Sequence, residues 1–165
     1  MEKKSNARGL FEVNLPESEA RTFLLFVQTA DAVLKYSEAE LNKAGLSLIK
    51  HMVLQLLEAH GGTLTPSQIA HLVLREKHNI TTLIRRMERD RLIKIRADAK
   101  DRRSVHVTIT KKGKQAIIDT APVSRNIVKT VMASFPDSST AFLEKSLKTL
   151  RQNAYDSLVE GQKAQ

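Results

Sequence analysis

The sequence predicts a mainly α-helical chain with a small β-hairpin wing, a winged helix-turn-helix lobe with long helices before and after it. Three observations predict it. Apolar residues recur at helical spacing through most of the chain. Two short runs, residues 92–95 and 105–109, read instead as strands. Nine cations crowd into residues 85–103 against four acids, so this segment alone carries +5 of a net +9. Aromatic residues make up only 4% and tryptophan is absent, a balance that favours helices packed on helices.

With 165 residues the chain is long enough for one domain with a real core. It holds no cysteine, which removes disulfides, thiolate zinc sites and thiol catalysis. Residues 1–16 are polar, unpatterned and expected to be flexible, with no apolar run of the secretory kind. No apolar run approaches the roughly 18 residues that cross a membrane, and the expected location is the cytoplasm. Residues 17–165 are read as a single domain.

From residue 17 to about 43, Phe23, Phe26, Val27, Ala30, Val33, Leu34 and Leu41 trace one helical stripe, which Gly45 ends. A second helix runs from about 47 to 59 and stops at Gly61 and Gly62. Thr65, Pro66 and Gln68 form a capping box with proline at the first helical position, opening a short helix that ends near Val73. This helix is expected to brace the next through Ile69, Leu72 and Val73. The next spans about 76–90, with Ile80, Leu83, Ile84 and Met87 on one face and His78, Thr82, Arg85 and Arg89 on the other.

In the second strand Val105, Val107 and Ile109 point inward, His106 and Thr108 outward, and a charged loop of residues 96–103 joins the two strands. Thr110 caps a further helix, which Pro122 should kink or split. Pro136 marks a break, and a last helix carries Phe142, Leu143, Leu147, Leu150, Tyr155 and Leu158.

A short capped helix, a second helix with a basic polar face and a basic hairpin together point to duplex DNA. The major groove, about 12 Å wide, admits such a helix. The positive end of the helix and Lys77 suit phosphates. Asn79 matches adenine and Arg85 or Arg86 guanine, while Thr81 and Thr82 suit phosphates or thymine methyls, with His78 on the same face. At the wing tip, Arg102 or Arg103 fits a narrow minor groove, and Asp101 would fix the neighbouring guanidinium. The terminal helices carry more apolar surface than one lobe covers, which points to a homodimer on a two-fold-symmetric site.

The stretch from 64 to 113 resembles the core of the MarR family of bacterial regulators. The matching residues are Leu64-Thr65, the helix from Ile80 to Glu88, Asp101-Arg102-Arg103 at the wing and Ile109-Thr110-Lys111-Lys112-Gly113 after it. The resemblance implies a winged lobe at 47–113, with 17–45 and 114–160 as dimerisation helices. It also implies a homodimeric regulator, usually a repressor, on a pseudo-palindromic operator, released in many members by a small aromatic effector. An effector pocket would lie between the long N-terminal helix and the lobe, with Phe23, Phe26, Tyr36 and His51 as candidates. In one departure, Arg91 stands where the family commonly has glycine, at a helix end that favours positive φ.

Other classes fit less well. No Gly-x-Ser-x-Gly, phosphate-cradling glycine loop or acid/base pair suggests an enzyme. A winged helix for protein contact alone would not need arginines at its tip. No aromatics interleave the basic face, which counts against single-stranded RNA. The five histidines show no three- or four-residue spacing, so neither a metal site nor a cofactor is expected.

Overall fold

The computed structural model describes residues 18–97 and 105–163, with side chains as far as Leu158. In chain order the elements are α1 (Ser18–Lys43), α2 (Leu48–Ala59), β1 (Thr63–Leu64), α3 (Pro66–Leu72), α4 (Lys77–Arg89), β2 (Ile93–Ala97), β3 (Val105–Ile109), α5 (Lys111–Val131) and α6 (Asp137–Lys163). They fall into two compact units, residues 1–128 and 129–165.

Each helix stops or starts for a local reason. Gly45, at φ +80°, reverses the chain after α1, and the Leu46 amide returns to the Leu41 carbonyl at 3.1 Å. The α2 N-terminus is capped from α1, since Glu38 accepts the Leu48 amide at 2.8 Å. Gly61 and Gly62, both at positive φ, end α2. The capping box expected at Thr65 is present: its hydroxyl accepts from the Gln68 amide at 3.2 Å, and its amide donates to Gln68 Oε1 at 2.8 Å. The turn between α3 and α4 places Leu74, not a glycine, at φ +51°.

The core gathers Val53, Leu54 and Leu57 of α2, Ile69 of α3, Ile80, Ile84 and Met87 of α4, and Ile93 and Val107 of the sheet. Each such side chain is 2% exposed or less, a burial that stabilises the fold by roughly 1.5–3 kcal/mol apiece. Leu72 departs from expectation. It is 39% exposed, and α3 is fixed instead through Ile69, Ala70 and Val73.

The sheet has three strands in the order β1-β3-β2, one more than the sequence suggests. β1 has only two residues, paired antiparallel to β3 as Thr63↔Thr108 and Leu64↔Val107. β2 pairs with β3 as Ile93↔Ile109, Ile95↔Val107 and Ala97↔Val105. Alternation then puts these apolar residues on one face and Lys94, Arg96, His106 and Thr108 on the other.

Thr110 caps α5: its hydroxyl accepts from the Gly113 amide at 3.0 Å and donates to the Arg91 carbonyl at 2.7 Å. Pro122 does not split the helix, which runs unbroken from Lys111 to Val131. One missing amide is outweighed by the burial of Gly113, Thr120 and Ile127 on either side of it. The second unit holds the end of α5, a turn with Ser134 at φ +64°, and α6. Among the described residues no helix is long and apolar enough to cross a membrane.

Candidate nucleic-acid interface

The helix α4 divides cleanly between core and surface. Ile80, Ile84 and Met87 are buried, while Lys77, His78, Asn79, Thr81, Thr82, Arg85 and Arg86 are all exposed. Glu88 and Arg89 are exposed as well, Glu88 being the one acid of the helix, and the first turn carries Lys77 at the end where amides point outward. This face presents cations and amide and hydroxyl groups on a rigid rod.

Its far end is tied down at three points. Glu88 Oε1 accepts the Ile95 amide at 2.8 Å, joining α4 to the root of the wing. Asp90 Oδ2 meets the Lys50 ammonium of α2 at 2.8 Å, a hydrogen bond that holds the Asp90 carboxyl below the usual carboxylate range. Lys112 of α5 donates to the Asp90 carbonyl at 2.9 Å. Arg91 follows at φ +62°, as its place at the helix end leads one to expect, and the Leu92 amide returns to the Met87 carbonyl at 3.0 Å.

Beside α4 lies a cleft of about 480 Å³. Lys77, Thr81 and Arg85 form one wall, Thr65 and Ser67 at the start of α3 another, and Ile84, Ile95 and Val105 belong to its apolar part. Of the residues singled out in the sequence, Lys77, Thr81 and Arg85 therefore meet in one concavity. His78, Asn79, Thr82 and Arg86 share the helix but do not line the cleft. Ser67 was not singled out by the sequence reading. Its signal was its place two residues after a capping threonine, where an exposed hydroxyl sits among the first amides of a helix.

The two threonines are less available as donors than their type suggests. Thr81 and Thr82 donate their hydroxyl protons to the Lys77 and His78 carbonyls, at 2.9 and 3.3 Å. Donation to an external acceptor requires each hydroxyl to turn away from its own helix. Asp101, Arg102 and Arg103 of the wing tip lie outside the described residues.

The four residues suggested for an effector pocket stand in different surroundings. Phe23 and Phe26 are exposed on α1, and Tyr36 is half-buried. His51 is buried, and both its ring nitrogens are engaged: Nδ1 lies 3.1 Å from Thr120 Oγ1 and Nε2 3.1 Å from Ser124 Oγ, both on α5. Thr120 gives its one proton to the Ala116 carbonyl at 2.7 Å. It must then accept from Nδ1–H, leaving Nε2 to accept from Ser124. Burial lowers the pKa of this imidazole and favours the neutral form.

Comparison with known proteins agrees with this architecture. Residues 44–104 match the model of the MarR family. Among solved structures, the chain is similar to the organohalide-sensing transcriptional regulator RdhR-CbdbA1625, crystallised with 2,4-dichlorophenol. There identity is 26%, coverage 89% of this chain and 87% of that one, and the TM-score 0.75. It is similar in fold to AbsC, a MarR family transcriptional regulator from Streptomyces coelicolor, with 20% identity, coverage of 86% and 97%, and a TM-score of 0.79. BldR, a transcriptional regulator from Sulfolobus solfataricus, shares the fold at 21% identity, with coverage of 82% and 95% and a TM-score of 0.73. None of the curated proteins matches the sequence. The chain thus has the winged helix-turn-helix fold of the MarR family transcriptional regulators and carries that family's sequence pattern over residues 44–104.

Proposed function

We propose that this protein binds duplex DNA at a specific sequence and regulates transcription, as a homodimer repressing from a pseudo-palindromic operator. The observation that carries the reading is the division of α4, whose buried stripe is wholly apolar and whose exposed residues from Lys77 to Arg86 are polar or basic, with the one acid, Glu88, at the far end and bonded to the Ile95 amide. A helix held in this way enters a major groove without rearrangement of the core. Lys77 and Ser67 serve phosphates, Asn79, Arg85 and Arg86 serve base edges, and His78, Thr81 and Thr82 flank them. Asp101, Arg102 and Arg103 are proposed for the adjacent minor groove.

The homodimer is supported by the surfaces that each unit leaves open. Phe23, Val27 and Leu34 are exposed along α1, and Phe142, Leu147, Leu150 and Leu158 along α6. Apolar area of this kind is ordinarily covered by a partner. We assign 47–113 to the DNA-binding lobe and 17–45 and 114–160 to dimerisation, within one domain over 17–165. A small aromatic effector is the finer part of the proposal, supported by the likeness to a regulator crystallised with 2,4-dichlorophenol. Phe23, Phe26, Tyr36 and His51 are its candidate contacts.

Selection from a random duplex library, followed by fluorescence anisotropy at varied salt, tests the reading. A palindromic motif bound with steeply salt-dependent affinity is expected. Absence of any enriched motif, with weak binding to every duplex, overturns it.

A further inference from the structure

A second concavity lies beside the β2–β3 ribbon, between the end of α4 and the start of α5. This cleft, of about 720 Å³, is lined by five cations, Arg91, Lys94, Arg96, Lys111 and Lys112. Strand alternation turns its Lys94, Arg96 and Thr108 away from the cleft beside α4, while Ile93 and Ile109 border the second cleft from the strand ends. Ile95 and Val105 face that first cleft, whereas Lys94 and Arg96 point to the opposite side of the ribbon. Among the described residues the two clefts share no lining residue. The α4 cations of the first cleft, Lys77 and Arg85, are therefore not among the residues of the second.

Their arrangement indicates the chemistry of what they would bind. Glu88 is the acid among the described lining residues, and its Oε1 is already taken by the Ile95 amide. Lys112 is held in place by the Asp90 carbonyl and keeps further N–H donors for a second acceptor. Arg91 occupies φ +62°, where glycine would be less strained, and strain of this kind tends to persist where a side chain is needed. The aliphatic lining residues Ile93 and Ile109 are only 1% and 7% exposed, so the cleft lacks the open apolar anchor on which protein interfaces depend. Ammonium and guanidinium groups set along an open groove match a run of phosphates.

We infer that this cleft takes the phosphate backbone of DNA beyond the stretch met by α4, extending the protein's footprint past each half-site. The inference rests on the DNA-binding reading above and adds to it a second contact surface, with Arg91, Lys94 and Arg96 as principal residues.

The test uses the full chain and the duplex obtained by selection, in trimmed form and with about 10 extra base pairs on each side, one further helical turn. Wild-type protein should bind the longer duplex more tightly and with a steeper salt slope. The double variant Lys94→Ala/Arg96→Ala should match wild type on the trimmed duplex and lose the gain on the longer one. Its slope there should fall by about 0.9 per lost contact, or about 3.5-fold in affinity per contact between 50 and 200 mM salt. Arg91→Gly controls for folding: it should melt above wild type, because the backbone strain is relieved, yet gain less from the flanks. Arg85→Ala should weaken binding to both duplexes. Equal wild-type affinity for the two duplexes overturns the inference and leaves the DNA-binding reading intact, as does an undiminished gain in the variants. Failure of wild type to bind either duplex overturns both.

Discussion

A Cβ placed on Gly113 would lie 2.2 Å from the carbonyl oxygen of Leu92, far inside any contact that real atoms make. The first turn of α5 and the segment leading into β2 thus meet backbone to backbone. The same Cβ would press on Ile109 at 2.8 Å and Leu54 at 3.1 Å, so no direction of relief is free. Gly113→Ala should therefore destabilise the protein by about 1–3 kcal/mol, the usual cost of overpacking. Chemical denaturation measures it, and an unchanged midpoint would mean that α5 shifts without penalty.

The buried imidazole of His51 makes stability depend on pH in a definite direction. Its folded pKa lies below the ordinary value of 6.5, with burial as the cause. Below that value the unfolded chain binds the proton more readily than the native one, so stability rises with pH. The contribution is complete above about pH 6.5 and is lost as pH falls from there towards the lower folded pKa. His51→Gln should flatten the dependence of the urea midpoint between pH 5 and 7. Parallel curves for the two proteins would show that His51 titrates alike in both states.

Two positions on α4 should separate positioning from reading. Lys77→Ala should weaken binding to every duplex alike and lower the salt slope by about 0.9. Arg85→Ala should cost about 1–3 kcal/mol on the selected site and relax preference at one base pair. Anisotropy against a panel of single-base variants distinguishes them. A uniform loss from Arg85→Ala would make it a phosphate contact.

The open apolar faces predict self-association. Phe23→Glu on α1 and, separately, Leu150→Glu on α6 should shift sedimentation from dimer towards monomer, because each sets a charge on a surface that a second chain would cover. A monomeric wild type would assign those faces to some other partner.

Much of this lobe was legible in the sequence because its signals are local. Thr65 and Gln68 stand three residues apart and announce their own helix start. The stripe of Ile80, Ile84 and Met87 and the cations around it share one short segment. The positive φ of Arg91 follows from its place at a helix end. What escaped detection depends on distant partners. β1 is two residues long, too short for any period, and exists because Thr63 meets Thr108 across the fold. Histidine carries no periodic signal, and His51 is held by hydroxyls 69 and 73 residues downstream. Leu72 is exposed because Ile69, Ala70 and Val73 fill the interface in its place, and Pro122 leaves α5 unsplit.

The division of α4 into a folding half and an outward half also bears on how such a chain diverges. Residues 78, 79, 82, 85 and 86 are all exposed, so the packing of Ile80, Ile84 and Met87 on the buried side places little demand on their identity. Copies of the gene can drift at these positions with little loss of foldability, each acquiring a new preference while the scaffold stays fixed. One architecture then supplies many distinct specificities, and new ones arise by a few surface replacements without a new fold.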